Sequence, residues 1–387
     1  MEMTKKLYDM NAYATEFDAK VLACEKVDGK QQTAYQVVLD QTLFFPEEGG
    51  QSPDKGVIQE IEVLDVQTKQ GIITHTLTAP LEVGATVHGV IDWNHRFNNM
   101  QQHSGEHIFS GLVHAKYGYD NVGFHLSNQI VTMDFNGVLS AKEVKEIELE
   151  ANRAIVKNLS IEVSFPSKEE LADLDYRSKI EIDGQVRIVT IPGVDVCACC
   201  APHVSRTGEI GMLKIQSLQS YKGGVRISIL CGFRALEDYC NRVAINQELS
   251  ALLSTNQGEL PEAVNKLKNQ NQSLKAQLAA AKQECMEEKL KAIPADQENV
   301  ILFEKNLDAQ VMRSTVNQLV EQHAGVCGIF AGDDVEGYHF ILGSSGQDVR
   351  QIMNGLKENL QAKGGGSAAM VQGSVTAKRE EIIKMLQ

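Results

Sequence analysis

The chain has 387 residues, 43% hydrophobic and 23% charged, enough for two or three domains with sizeable cores. A net charge of −14 excludes a surface that grips nucleic acid over its whole extent, so any such contact must be local. No apolar run approaches the ~20 residues of a membrane span, residues 1–6 do not lead into a secretory signal, and eight scattered cysteines fit a reducing cytoplasm.

Residues 1–91 carry short runs at 35–39, 57–58, 61–63, 72–77 and 87–91, punctuated by Gly, Pro and Asp, the pattern of a small antiparallel β-barrel. From 92 to 236 helices and strands mix. A helix is expected through 99–112, then a strand at 129–135 and a helix at 141–157 capped by Ser140. Strands follow at 186–189, 212–215 and 225–229. The character changes at 237: residues 237–254 read as helix, Gly258 and Pro261 interrupt it, and a second helix starts near Pro261, which a first helical turn tolerates. There Val264, Leu267, Asn271, Leu274, Leu278, Ala281 and Cys285 alternate steps of three and four, a heptad seam in which Asn271 would fix the register. The seam either pairs with another chain or closes an antiparallel hairpin, so 237–293 is a helical spacer in both readings. Pro294 ends it. Residues 294–387 read as a small α/β domain: strand 300–303, helix 307–323, strands 325–330 and 338–342, helix 349–363, the segment Gly364-Gly365-Gly366-Ser367 and a final helix at 377–386. The expected fold class is α+β, in four segments.

Two pairs of residues set four apart carry the chemistry. His103 and His107 lie one helical turn apart on one face, so both imidazoles can reach one cation. Cys199 and His203 repeat that spacing and add a thiolate and a third imidazole. Three nitrogens and one sulfur in a tetrahedron, at roughly 2.0–2.1 and 2.3 Å, suit one Zn²⁺. Cys197, Cys199 and Cys200 crowd together, and Cys199 is preferred because its spacing copies the histidine pair.

These pairs resemble the HxxxH and CxxxH motifs of the editing domain of alanyl-tRNA synthetase and its freestanding relatives, the AlaX proteins. The glycine-rich segment at 44–56, Gly123-Phe124-His125-Leu126 with Thr132-Met133-Asp134-Phe135, and the run from Val186 through His203 to Ile227 resemble family segments in the same order. The region after Gly364 resembles the synthetase's C-terminal domain. One departure is Cys199-Cys200-Ala201-Pro202-His203, where the family commonly has glycines after the cysteine. The chain opens directly on the barrel, so it resembles a long-form AlaX protein that edits without synthesis.

The resemblance implies a cytoplasmic enzyme that hydrolyses the ester of wrongly charged alanine tRNA. Its substrate carries serine, with glycine as a second candidate. A pocket for alanine excludes either poorly, because one hydroxyl or methylene changes binding by only ~1–3 kcal/mol. Glu106 is the candidate general base, with Gln51 as a polar handle and His125 as a pocket residue. Gly49 and Gly50 would let backbone approach the ester, and Ser104 would touch substrate. Lys222 and Arg226 would meet phosphates, and Gly364, Gly365 and Gly366 with Lys363, Lys378, Arg379 and Lys384 would hold the tRNA body. His114 reads as structural. A homodimer through the spacer or the C-terminal domain is expected, with no membrane or DNA partner. Two rivals stand beside this: an HxxEH zinc metallopeptidase, which His103-Ser104-Gly105-Glu106-His107 also satisfies, and a non-catalytic zinc-stabilised tRNA-binding module.

Overall fold

Alternation along Ile72–Leu77 buries Ile73, His75 and Leu77 on one side of a strand, and Thr86–Ile91 and the start of Glu16–Asp28 share that pattern. In the computed structural model, which describes residues 3–28, 33–127, 130–178 and 185–386, six strands close into a barrel. The order is Glu16–Asp28, Thr33–Leu39, Ile72–Leu77, Ile61–Lys69, Gly56–Ile58 and Thr86–Ile91. The long first strand serves two neighbours: Glu16 to Lys20 pair with Thr86–Ile91, and beyond an irregularity between Val21 and Ala23 it pairs with Thr33–Leu39. Its core packs Val21, Val37, Leu39, Phe44, Phe45, Ile58, Val66 and Ile73.

Clustering of contacts divides the chain into two compact units, Met1–Gln247 and Glu248–Gln387, both mixed α and β. In the first unit the barrel is followed by a helix, Trp93–Tyr117, longer at both ends than the 99–112 expected. Asp92 caps its start by accepting from the His95 amide, and Gly118 ends it in the left-handed conformation. Every residue from 99 to 111 is buried, because two sheets and a second helix surround it. One sheet runs Leu213–Tyr221, Gly224–Cys231, Val131–Phe135, Asn121–Leu126; the other runs Glu162–Ser164, Ile188–Ile191, Asp195–Ala198. Gly105 makes the close approach possible, since a Cβ there would lie 2.3 Å from the Cys231 sulfur. The capping box at Ser140 and Glu143 starts helix Ala141–Val156 as expected. The expected strand at 129–135 begins within the described residues at Val131, and its position 129 lies outside them.

A 22-residue helix, Gly232–Leu253, starts five residues before the expected boundary at 237. In the second unit, Leu260–Lys291 forms a 32-residue helix with Pro261 in its first turn. Its seam residues Val264, Leu267, Leu274 and Leu278 are all more than half exposed, whereas the hairpin alternative needs them buried. The second unit's sheet runs Val300–Glu304, Cys327–Asp333, Gly337–Gly343, Met370–Val375, Lys363–Gly366, parallel in the first pair and antiparallel after it. Ala309–Gln322 packs Met312 and Val316 on the side of Ile329 and Ile341. Val349–Leu360 and Arg379–Leu386 pack Met353, Leu356 and Ile382 on the side of Phe330 and Phe340. The triple glycine is an edge strand, so part of its backbone is engaged with Met370–Val375. Among the described residues no helix is long and apolar enough to cross a membrane.

Candidate metal centre

The buried histidine helix brings polar side chains into an apolar interior, and each needs a partner there. Gln102 exchanges hydrogen bonds with the Cys231 backbone, and Gln101 donates to the Glu209 carbonyl at 2.8 Å. These ties fix the helix's rotation, and with it the direction of His103 and His107. Cys199 and His203 approach from the loop after Asp195–Ala198. Arg187 holds that loop by donating from Nη1 to the carbonyls of Cys199 and Ala201, at 2.7 and 2.9 Å.

The four expected ligands converge. His103, His107, Cys199 and His203 each offer a ligand atom, all within 4.8 Å of one another. The imidazoles pack with centroids 4.6–5.4 Å apart. The Cys199 sulfur lies 3.5 Å from His103 Nε2 and 3.3 Å from His203 Nε2. Each ring is anchored by its other nitrogen: His103 Nδ1 on Gln51 Oε1 at 2.8 Å, His107 Nδ1 on Asp195 Oδ2 at 2.8 Å, and His203 Nδ1 on Ser104 Oγ at 3.0 Å. Arg177 in turn forks onto Asp195 at 2.8 and 2.9 Å. Such outer partners set the tautomer that leaves Nε2 free for a cation.

Electrostatics single out one sulfur. Burial opposes a thiolate at Cys199, but the attraction of His103 and hydrogen bonds from His103 and His107 outweigh it, holding this thiol well below its usual range. Burial raises both Cys197 and Cys200, so neither shares the downward shift of Cys199. Burial also lowers His203 to about 3, which keeps the ring neutral and its nitrogen available. Burial opposes charge on His107 too, yet Cys197, Asp195 and Cys199 together hold its ring well above the ordinary imidazole range. Cys197 belongs to a second candidate grouping with His107 and Asp195, whereas Cys200 lies in neither.

The remaining expected site residues fall into place unevenly. Gln51 is fully buried, and its Nε2 makes no hydrogen bond to any described residue. Its loop is clipped to the end of strand Asn121–Leu126 through Leu126 N to Gly50 O and Ser52 N to Leu126 O. Gly49 and Gly50 do have positive φ, but the close approach at Gly50 is to the Phe124 carbonyl, 2.2 Å from a built Cβ, and at Gly49 to the Cys200 sulfur. Glu106 is buried, with Oε1 accepting from Ser110 and Asn121 at 2.7 and 2.5 Å and Oε2 lying 3.8 Å from His107 Nε2.

Ser104 is fully buried and bonds His203 and the Val204 amide. Strand alternation turns His125 outward and exposed, while its neighbour Phe124 packs against His103 at 4.7 Å. The Arg226 guanidinium is forked onto Asp134 at 2.6 and 2.7 Å and stacked over Tyr221. Lys222 sits exposed in a hairpin turn. His114 bonds Asp120 at the surface. Asp195, Arg177, Arg187, Asn121 and Phe124 carry no spacing signal that marks them as partners of the histidines.

Two family models match the chain: tRNA synthetases class II (A) over residues 2–95, and the threonyl and alanyl tRNA synthetase second additional domain over residues 186–228. The second of these spans Cys199 and His203. The alanyl-tRNA editing protein AlaX-L of Pyrococcus horikoshii is 29% identical, covering 98% of this chain and 96% of its own length. The mouse alanyl-tRNA editing protein Aarsd1 is 29% identical over 98% of this chain and 97% of its own. Over nearly its whole length the chain is similar to alanyl-tRNA editing proteins. An alanine–tRNA ligase of Ignicoccus hospitalis matches 99% of the chain at 29% identity with only 42% of its own length, so the similarity extends to part of that ligase. The C-Ala domain of Aquifex aeolicus alanyl-tRNA synthetase aligns with 23% of the chain at 22% identity and a TM-score of 0.21, too low to bear on the fold.

Proposed function

We propose that this chain is an aminoacyl-tRNA hydrolase that removes serine, and as a second substrate glycine, from wrongly charged alanine tRNA, using one Zn²⁺ held by His103, His107, Cys199 and His203. The observation that carries this reading is the convergence of three ring-anchored imidazoles and one thiolate beside the glycine loop of the barrel. The donor set fits the ion: three imidazole nitrogens, each left free by a bond at the opposite nitrogen, and a sulfur held as thiolate. When bound, zinc supplies a Lewis acid for a carbonyl or water oxygen.

The chain's own residues do the rest. Gln51 fixes His103 through its oxygen, and its amide nitrogen is a donor that a substrate oxygen can take up. If that oxygen is the serine hydroxyl, alanine leaves the buried donor unsatisfied and is rejected. Glu106, held by Ser110 and Asn121 with its second oxygen toward His107, is the group placed to accept a proton near the ester. Cys199 is the partly exposed ligand, which sets the side from which substrate reaches the centre. The exposed Lys222 and the basic groups after Lys363 are the proposed tRNA contacts.

Purified protein should deacylate serine-charged alanine tRNA, spare the alanine-charged form, leave casein intact, and lose activity with chelator or His107→Ala. Cleavage of casein with no ester turnover would replace this reading with the metallopeptidase. Tight tRNA binding without turnover would favour the non-catalytic module.

A further inference from the structure

A second cavity adjoins the centre on the outer side of His203. It has a volume of about 330 Å³ and is bounded by Tyr8, Asp9, Met10, Phe165, Arg187 and His203 among others. That lies at the lower end of the range of small-molecule sites, roughly 300–1,000 Å³. Three features of its wall point to a ligand. Tyr8 is 1% exposed, yet its hydroxyl makes no hydrogen bond to any described residue. Asp9 Oδ1 and Arg187 Nε face each other at 3.2 Å without hydrogen-bond alignment, and neither finds another partner among the described residues. At the rim Met10, Val163 and Phe165 are large apolar side chains, 73%, 40% and 42% exposed.

We propose that this cavity holds the adenine base of the tRNA's terminal nucleoside, stacked on the Phe165 and Met10 rim, with its Watson–Crick edge toward Tyr8 and Asp9. The inference rests on the preceding reading, because an ester on the terminal ribose brings that nucleoside within one residue's width of the metal ligands. Polarity selects the base. Adenine presents an acceptor at N1 and donors at N6, matching a hydroxyl donor beside a carboxylate acceptor, whereas guanine reverses both and sets O6 against the carboxylate. Burial foremost, then the charges of Asp9 and Glu48, push the Tyr8 hydroxyl upward, so it remains a donor at neutral pH. Stacking supplies the rest of the affinity, as in single-strand binding sites.

The test uses the full chain with labelled methionine and isoleucine methyls. Millimolar adenosine should shift the signals of Met10 and Ile161 saturably, and guanosine should bind at least roughly fivefold more weakly. Phe165→Ala should weaken adenosine roughly fivefold or more, and Tyr8→Phe by about tenfold, with zinc content unchanged. On serine-charged tRNA both variants should raise KM more than they lower kcat. Adenosine binding without ester turnover would overturn the hydrolase reading and leave the cavity assigned. Turnover with no shift at Met10 and Ile161, or with both variants binding as the parent does, would overturn the cavity.

Discussion

At the scale of single residues, the four converging side chains depend on others that stand outside the cluster. Asp195 accepts from His107 and is gripped by Arg177, so removing its carboxylate frees the ring to rotate and leaves the Arg177 charge half-buried and unpaired. Asp195→Ala should lower zinc affinity about 10–100-fold, read by competition with a chromogenic chelator. Parent-like affinity would show that the ring is held by packing alone. The pairing of His103 with His107 was legible in the sequence because helical spacing brings i and i+4 together whatever the tertiary fold, whereas Cys199 and His203 meet them from a loop that no helical periodicity describes. The supports of these four were not legible. Asp195 stands 88 positions after His107 and reads as an ordinary acid before a strand, and the bond from Ser104 to His203 spans 99 positions. Strand parity decides which of Phe124 and His125 faces the centre, and a four-residue motif does not reveal it.

At the scale of elements, two buried polar devices lock the barrel and the histidine helix. Arg96 and Asp54 are both fully buried. Arg96 also donates to the carbonyls of Ala12 and Leu43, and Asp54 accepts from the Phe45 amide at 2.6 Å. Removing one partner strands a buried charge, so Asp54→Ala should cost about 3–5 kcal/mol in urea unfolding, far beyond a surface change. A loss below 1 kcal/mol would contradict this role. Within the barrel, His75 bonds Thr42 at 2.9 Å, and burial lowers its pKa to about 4. The unfolded chain takes up this proton near 6.5, so between about 6.5 and about 4 it holds more protons than the native chain and stability rises with pH. Acidification through that window should remove on the order of 3 kcal/mol. His75→Gln should flatten this slope relative to the parent in melts taken across the window. Element boundaries were less legible than element types. The strand Glu16–Asp28 is not marked by its composition because it mixes charged and apolar residues, and the pairing of Gly364–Gly366 with Met370–Val375 is invisible to local composition.

At the scale of the whole molecule, the exposed seam of Leu260–Lys291 has the composition of an interface between copies. Light scattering should give twice the chain mass, and Leu267→Glu with Leu274→Glu should return it to one while each chain still turns over ester. A parent that runs as a single chain would remove the dimer. A further consequence lies in Gln51. This side chain comes from the barrel, yet it sets the ring of a ligand on the helix that follows, and Arg96 returns the tie in the opposite direction. The orientation of the His103 ring is therefore tied to closure of the first strands. A polypeptide starting after Ile91 would keep His103, His107, Cys199 and His203 but lack the amide that fixes which nitrogen His103 turns toward the other three.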